Sequence, residues 1–307
     1  LQEKLRKGQN IAENMSIKNI IQGLPWEQSP HSAVLVKASQ MDKEKVHRAL
    51  NAGFNQNPWT YDKMYHEVYQ IMTTIHNVPH GFLASFRDAT TQQLNVLKYL
   101  YDGDCQHELE MMMYADKCSV PVLGRVWVED KVNHSTKVCG YIMPHLTPIA
   151  PGVNIGGASI ARPKFSDANK KSIILKFREK VKQLHQAGIV HGDIKPSNAL
   201  LTNTGDIELC DFPESSFLPC SHPPKRSSIQ YTSPQRCKNP TKPLGIFDDI
   251  YALGTSVWEI WTEKIPYEEI DDDDIEDEIA NGKQPSLSLV TDSQIKKIIT
   301  DCWEGKI

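Results

Sequence analysis

Apolar positions change their spacing along this chain. Residues 1 to about 75 recur mostly at helical intervals, broken by a strand-like run, SAVLVKAS, at residues 32–39. Asp42 to Leu50 reads as a short helix stopped near Gly53. Tyr61, Met64, Tyr65, Val68, Met72 and Ile75 follow at three- and four-residue spacing, the apolar face of an amphipathic helix built for packing rather than for a cofactor. Lys37, inside the strand-like run, reads as a solvated edge-strand lysine.

From about residue 80 short strand-like runs take over: FLASF, LNVLKYL, then VLGRVWVED and KVCGYIMPHL around a polar KVNHST turn. HELEMMMYA, between the second and third runs, suits a helix, so this stretch predicts a small sheet carrying one helix. Beyond the loop PIAPGVNIGGAS the pattern is predominantly helical. Ser166 can cap a helix whose Ile174, Phe177, Val181 and Leu184 share a face, with Gly188 as its stop. A second helix starts near Asp248 and carries Ile250, Leu253, Val257 and Trp261 toward a core. There is no internal repeat.

Composition narrows the class. The 307 residues, 39% hydrophobic and 23% charged, can bury a substantial core and exclude disordered, collagen-like and disulfide-scaffold chains. Lys+Arg 34 against Asp+Glu 38 leaves a net charge of -4, without the basic excess that binding a nucleic-acid backbone demands. No apolar run approaches the roughly 18–20 residues that would span a bilayer, and no signal-peptide core follows LQEKLRKGQN. The expectation is an intracellular protein, cytoplasmic or nuclear, without a membrane span. The seven cysteines form an odd set with no C-x-x-C pair, which argues against a disulfide framework or a structural zinc site. The acidic run DDDDIEDE at 271–278 reads as a solvated face rather than a calcium site. A start at Leu1 rather than Met reads as a fragment of a longer chain.

The segment with the most chemistry is IVHGDIKPSNALL, residues 189–201, followed by DIELCDF at 206–212. Asp193, Asn198 and Asp211 sit in loops between short apolar runs, with Lys195 beside them. A carboxylate, a cation and an amide within five residues can accept a hydroxyl proton, neutralise a phosphoryl oxygen and hold a hard metal ion. Phosphoryl transfer needs that combination.

Here the sequence resembles the protein kinase family. HGDIKPSN is similar to the catalytic loop H-R-D-x-K-x-x-N except at the arginine, and CDF to the metal-binding D-F-G. YTSPQ resembles the Y-x-A-P-E that closes the activation segment, and DIYALG the D-x-x-x-x-G of the central helix. The four motifs stand in the family's order over about 65 residues. The resemblance implies an α+β, two-lobed fold: a small antiparallel β-sheet lobe with one main helix over residues 76–147, and a mostly α-helical lobe over 148–307, behind a mostly helical extension at 1–75.

It further implies Asp193 as catalytic base, Lys195 as the lysine stabilising the transferring phosphate, and Asn198 and Asp211 as ligands of Mg2+. Lys98 in LNVLKYL becomes the lysine contacting the α and β phosphates of ATP, with Glu108 as its ion-pair partner and Glu110 as runner-up. GYIMPHL resembles the hinge strand, with Met143 behind the adenine and the backbone of Pro144 to Leu146 along its edge. Gly81 would open the phosphate-covering loop, Asp249 would hold the catalytic-loop backbone, and Ser228 and Tyr231 would lie in the activation segment.

The departures are equally specific. GFLASF keeps only the first glycine of G-x-G-x-x-G, and Pro213 replaces the glycine of D-F-G, removing a backbone donor and fixing φ. Gly192 stands where the family often has an arginine that pairs with a phosphate on the activation segment, and Gln235 replaces the glutamate of A-P-E. CWEGKI resembles the penultimate helices of the fold, which leaves two expectations: an incomplete lobe, or a last helix beyond this fragment. Three readings follow: an ATP-dependent serine/threonine-type protein kinase acting on a protein substrate; a pseudokinase serving as a nucleotide-binding or scaffold module for a protein partner; and a small-molecule phosphotransferase of the same fold. Lys195, YTSPQ and DIYALG favour the first over the third.

Overall fold

A computed structural model describes residues 19–23, 58–60, 74–78, 81–87, 93–100, 105–130, 135–149, 165–224 and 228–307. Lys37 with its strand-like run, the expected helix at 42–50, the stripe from Tyr61 to Met72, and Lys225, Arg226 and Ser227 lie outside these residues.

The strands β1 (Asn19–Gly23), β2 (Pro58–Thr60), β3 (Thr74–Val78), β4 (Gly81–Arg87), β5 (Leu94–Leu100), β6 (Gly124–Asp130) and β7 (Ser135–Pro144) form one sheet in the order β2-β1-β6-β7-β5-β4-β3. Every pairing in it is antiparallel. The parts of residues 1–75 that are described are therefore strands, which corrects the helical reading for them. NIIQG offers only two consecutive apolar residues, too short a run to show a two-residue period, and Ile75 fits helical spacing by coincidence while pairing with Ala84 across β3 and β4. GFLASFR forms a strand, as its run predicts: Gly81 opens β4 opposite Val78, with two residues between it and the end of β3.

Register fixes what the sheet presents. Lys98 of β5 stands opposite Tyr141 of β7, so the two side chains project from the same face. Gly140 makes this approach possible, because a Cβ there would lie 2.5 Å from the Lys98 carbonyl oxygen. The helix α1 (Gln106–Ala115) lies against β7 and buries Leu109, Met111 and Met112 in the main core. Each such side chain contributes about 1.5–3 kcal/mol by leaving water. Its start is tied to β7 by the Cys105 amide donating to the Val138 carbonyl at 2.7 Å.

The second half is built on α2 (Asp167–Gln186), α3 (Pro234–Lys238), α4 (Ile246–Thr262), α5 (Ile275–Ala280) and α6 (Ser293–Trp303). The Ser166 hydroxyl accepts from the Asn169 amide at the start of α2, and Gly188, with φ +80°, follows its end. Ile174, Phe177, Val181 and Leu184 are fully buried, as the spacing predicts. Helix α4 is buried almost throughout and crosses α6 at Gly254, where a Cβ would come within 2.8 Å of Trp303 and 2.9 Å of Cys302. Asp271–Asp274 precede α5, which buries Ile275 and Ile279 and leaves its carboxylates outward. Among the described residues no helix is long and apolar enough to cross a membrane.

Two small ladders hold the chemistry-bearing loops. β8 (Thr147–Pro148), β10 (Ala199–Leu201) and β11 (Ile207–Leu209) pair antiparallel in the order β11-β10-β8, and β9 (Ile189–Val190) pairs with β12 (Ser216–Phe217). Residues 191–198 leave β9 and enter β10, while 210–215 run from β11 to β12.

Candidate active site

Lys98 is 9% exposed and Glu108 3% exposed, so neither charge is tolerable without partners. The Lys98 ammonium donates to Glu108 Oε1 at 2.8 Å, to Glu108 Oε2 at 2.9 Å and to Asp211 Oδ1 at 2.8 Å. Burial pulls the lysine pKa down, but Glu108, Tyr141 and Asp211 outweigh it and hold the ammonium well above its usual range. For Asp211 the balance has the opposite sign: burial raises its carboxyl, and Lys98, with smaller contributions from Lys195 and His191, brings it below its ordinary value. Both groups are thus charged at neutral pH. The Tyr141 hydroxyl donates to Glu108 Oε1 at 2.8 Å, and burial followed by Glu108 pushes its phenol well up, so it keeps its proton. Glu110, the runner-up, instead accepts from Gln106 on its own helix.

Around Asp193 a second polar cluster forms. Its Oδ2 accepts from Lys195 at 2.6 Å and from the Asn198 amide at 3.0 Å, and its Oδ1 accepts from the Ser228 hydroxyl at 2.8 Å. Lys195 also donates to Ser228 at 2.8 Å. The loop is fixed from behind by buried Asp249, which accepts from the His191 amide at 2.7 Å, the Gly192 amide at 2.8 Å and His185 Nε2 at 2.9 Å. His191 is fully buried against Phe212, with ring centroids 4.6 Å apart. The Asp193 amide donates to its Nδ1, so Nε2 carries the proton and donates to the Cys210 carbonyl at 3.1 Å. The Cys210 amide returns a bond to the Asn198 carbonyl at 3.0 Å, stitching the two loops together beside Asp211, whose φ is +67°.

The remaining predicted positions surround these clusters. Met143 is buried in β7 opposite Val96, and the His145 amide beyond it donates to the Leu94 carbonyl. Leu146 is partly buried against the main core. Tyr231 donates its hydroxyl to the buried carboxylate of Glu259. Asp193, Ser228, Tyr231, Thr232 and Arg236 line a small cleft.

Residues 153–305 match the family model described as protein kinase domain. Through them the chain belongs to the protein kinase family. It is 35% identical over 155 residues, 46% of its length, to a probable serine/threonine-protein kinase, gdt8, of Dictyostelium discoideum, of which the match spans 11%. Over 99 residues, 31% of its length, it is 40% identical to the dual specificity mitogen-activated protein kinase kinase 7 of Homo sapiens, spanning 23% of that protein. A third relative, the probable serine/threonine-protein kinase PknB of Corynebacterium glutamicum, is 32% identical over 110 residues, 34% of this chain and 17% of the relative. The chain thus spans less than a quarter of these curated relatives.

Seen as a kinase domain, the departures acquire physical reasons. Gly192 has φ +84°, and a Cβ on it would lie 2.8 Å from Leu244 and 2.9 Å from the Glu214 carbonyl, so an arginine has neither the backbone conformation nor the room. Beyond Pro213, buried Ser215 donates its hydroxyl to the His191 carbonyl at 2.8 Å while its own carbonyl accepts from His107 Nε2 on α1 at 2.9 Å. Beside Gln235, Arg236 makes a fork to both oxygens of Asp248 at 3.1 and 2.8 Å and donates to the Lys242 and Pro243 carbonyls. That pair anchors α3 to the start of α4 within the chain at hand.

Sequence reasoning missed Tyr141, His185, Ser215 and Arg236. Tyr141 was visible only as one apolar position of a strand, and its meeting with Lys98 depends on register across 42 residues of intervening chain. Arg236 carried a weak local sign, a lone basic residue directly after SPQ.

Proposed function

We propose that this chain is an ATP-dependent protein kinase that transfers the γ-phosphoryl group of Mg·ATP to serine or threonine hydroxyls of a protein. The sheet, which takes in Asn19–Gly23 and Pro58–Thr60 as well as the strands from Thr74 to Pro144, acts with α1 as the small lobe, and residues 148–307 act as the helical lobe. The observation that carries this reading is the pair of clusters described above: Lys98 bound at once to Glu108 and Asp211, and an Asp193 carboxylate that already accepts a hydroxyl at 2.8 Å.

The residues fit a magnesium ion. Among the described residues, Asp211 Oδ2 and Asn198 Oδ1 carry no hydrogen bond, because Lys98 takes the other Asp211 oxygen and Asn198 is turned with its NH2 toward Asp193. Two hard oxygens are what a magnesium ion takes from a protein when nucleotide phosphates supply the rest. Once bound, the ion neutralises charge on those phosphates.

The chain's own groups do the remainder. Lys98, held by Glu108, contacts the α and β phosphates, and Met143 with the backbone of Pro144 to Leu146 receives the adenine, below the strand that Gly81 opens. Asp193 orients the attacking hydroxyl and takes its proton, with its carboxylate fixed in direction by Asn198 and Lys195. Lys195 faces the transferred group, so the gain in rate comes from positioning and fixed charge rather than from a covalent step. A protein substrate would approach Asp193 from the side of Tyr231 and Thr232, which share a small cleft with it. Ser228, bonded to both Asp193 and Lys195, supports a protein substrate over a small molecule, because it ties a peptide-binding segment to the reacting groups.

A second reading, a nucleotide-binding module that transfers no phosphate, is favoured by one observation: GFLASFR is a strand with a single glycine at its start. Thermal unfolding with ATP, with and without magnesium, tests the binding step common to both. ATP at one hundred times its dissociation constant adds about 2.7 kcal/mol, or about 5–10 °C in a domain of this size. A magnesium-dependent rise of that order is expected. No rise at millimolar ATP overturns the proposal.

A further inference from the structure

Glu108 has to satisfy two oxygens in a site where it is 3% exposed, and Lys98 reaches both of them while also serving Asp211. Lys98 divides its three protons between Glu108 and Asp211, so any ligand that draws the ammonium away weakens its hold on the carboxylate. Tyr141 has no such divided allegiance. Its ring is 1% exposed, its backbone is locked opposite Lys98 by the β5–β7 register, and Gly140 lets that strand press close to the Lys98 carbonyl. Its hydroxyl reaches Glu108 Oε1 at 2.8 Å, on a carboxylate rooted in the first turn of α1. The same turn is tied on its other side by His107 Nε2 donating to the Ser215 carbonyl at 2.9 Å.

We propose that Tyr141 is a positioning residue: its hydroxyl clamps the Glu108 carboxylate, and with it helix α1, in the place that pairs Lys98. This goes beyond the kinase reading, since the clamp is a property of the fold whether or not phosphate is transferred.

The test is hydrogen–deuterium exchange on the chain without nucleotide, comparing the parent with Tyr141→Phe, which removes one oxygen and keeps the ring. Exchange in 106–115 is expected to quicken about tenfold, in line with a lost hydrogen bond to a charged group, while 167–186 is unchanged. Unaltered exchange in 106–115, or equal acceleration in both helices, overturns the proposal. A second arm repeats the substitution in a Glu108→Met background. Tyr141→Phe should then add less than twofold, and a full tenfold effect there would show that the hydroxyl acts otherwise than through Glu108. Because neither arm uses ATP, failure to bind nucleotide leaves the test intact. If nucleotide binds, Tyr141→Phe should raise the KM for ATP about tenfold with kcat within threefold, a split that general loss of stability does not produce.

Discussion

Asp249→Ala removes one carboxylate and strands three donors at once. The His191 and Gly192 amides and His185 Nε2 all end on it, at 2.7, 2.8 and 2.9 Å, and Asp249 is only 1% exposed. His185 Nδ1 is already buried without a partner among the described residues, so the substitution leaves both ring nitrogens unpaired. An unsatisfied buried donor costs about 1–3 kcal/mol, and water entering the vacated volume recovers part of that. The net loss expected is therefore about 3–5 kcal/mol, or about 10 °C in unfolding midpoint at the 2–4 °C per kcal/mol typical of chains this long. Differential scanning calorimetry supplies the midpoint, and urea unfolding with an unchanged m-value confirms that the native state is what lost stability. Asp249→Asn keeps one acceptor and turns an NH2 toward a donor, so it should lose roughly half as much. An alanine variant melting within 3 °C of the parent would refute the inference that this carboxylate holds the HGDIKPSN loop.

Three further outcomes are expected. Gly192→Arg, which restores the family's usual residue, should destabilise by about 2–4 kcal/mol, from the left-handed backbone and the contact with the Glu214 carbonyl; an unchanged urea midpoint would contradict it. Arg236→Met leaves Asp248 without its fork and should cost about 3 kcal/mol by the same measurement, with Asp248→Asn added on top restoring part of the loss. Asp211, despite the upward pull of burial, is held low by Lys98, so its ionisation stabilises the fold above the unfolded value of about 3.9. That contribution is lost as pH falls through the lower folded value, so the gap in melting temperature between parent and Asp211→Asn should hold steady down to about pH 5 and shrink below about pH 4. A gap constant into stronger acid would contradict the assignment.

The family was legible because its motifs are local. HGDIKPSN, CDF and DIYALG each fit within one loop or one helical turn and a half, where residue spacing alone carries the information. The long helices were legible for a related reason: Ile174, Phe177, Val181 and Leu184 display their period within a single element. Strand pairing is another matter. That Asn19–Gly23 joins the sheet beside β6 depends on contacts between segments 100 residues apart, and nothing in NIIQG announces its neighbour. The same holds for Tyr141, whose partner on α1 is chosen by register, and for His185, which finds Asp249 only when α2 and α4 pack together. Gly192 and Gln235 read as losses along the chain; in three dimensions Leu244 and Glu214 crowd the first, and Arg236 with Asp248 ties down the segment beside the second. A departure from a motif records what is missing, whereas its replacement has to be found in space.

The most direct test of the central claim is transfer of radiolabelled γ-phosphate from Mg·ATP to a generic serine- and threonine-containing protein, measured for the parent and for Asp193→Asn side by side. The account predicts phosphoserine or phosphothreonine from the parent and loss of it in Asp193→Asn, with the magnesium-dependent thermal shift on ATP retained in both. Equal transfer by the two proteins, or none by a parent that binds Mg·ATP, would contradict it.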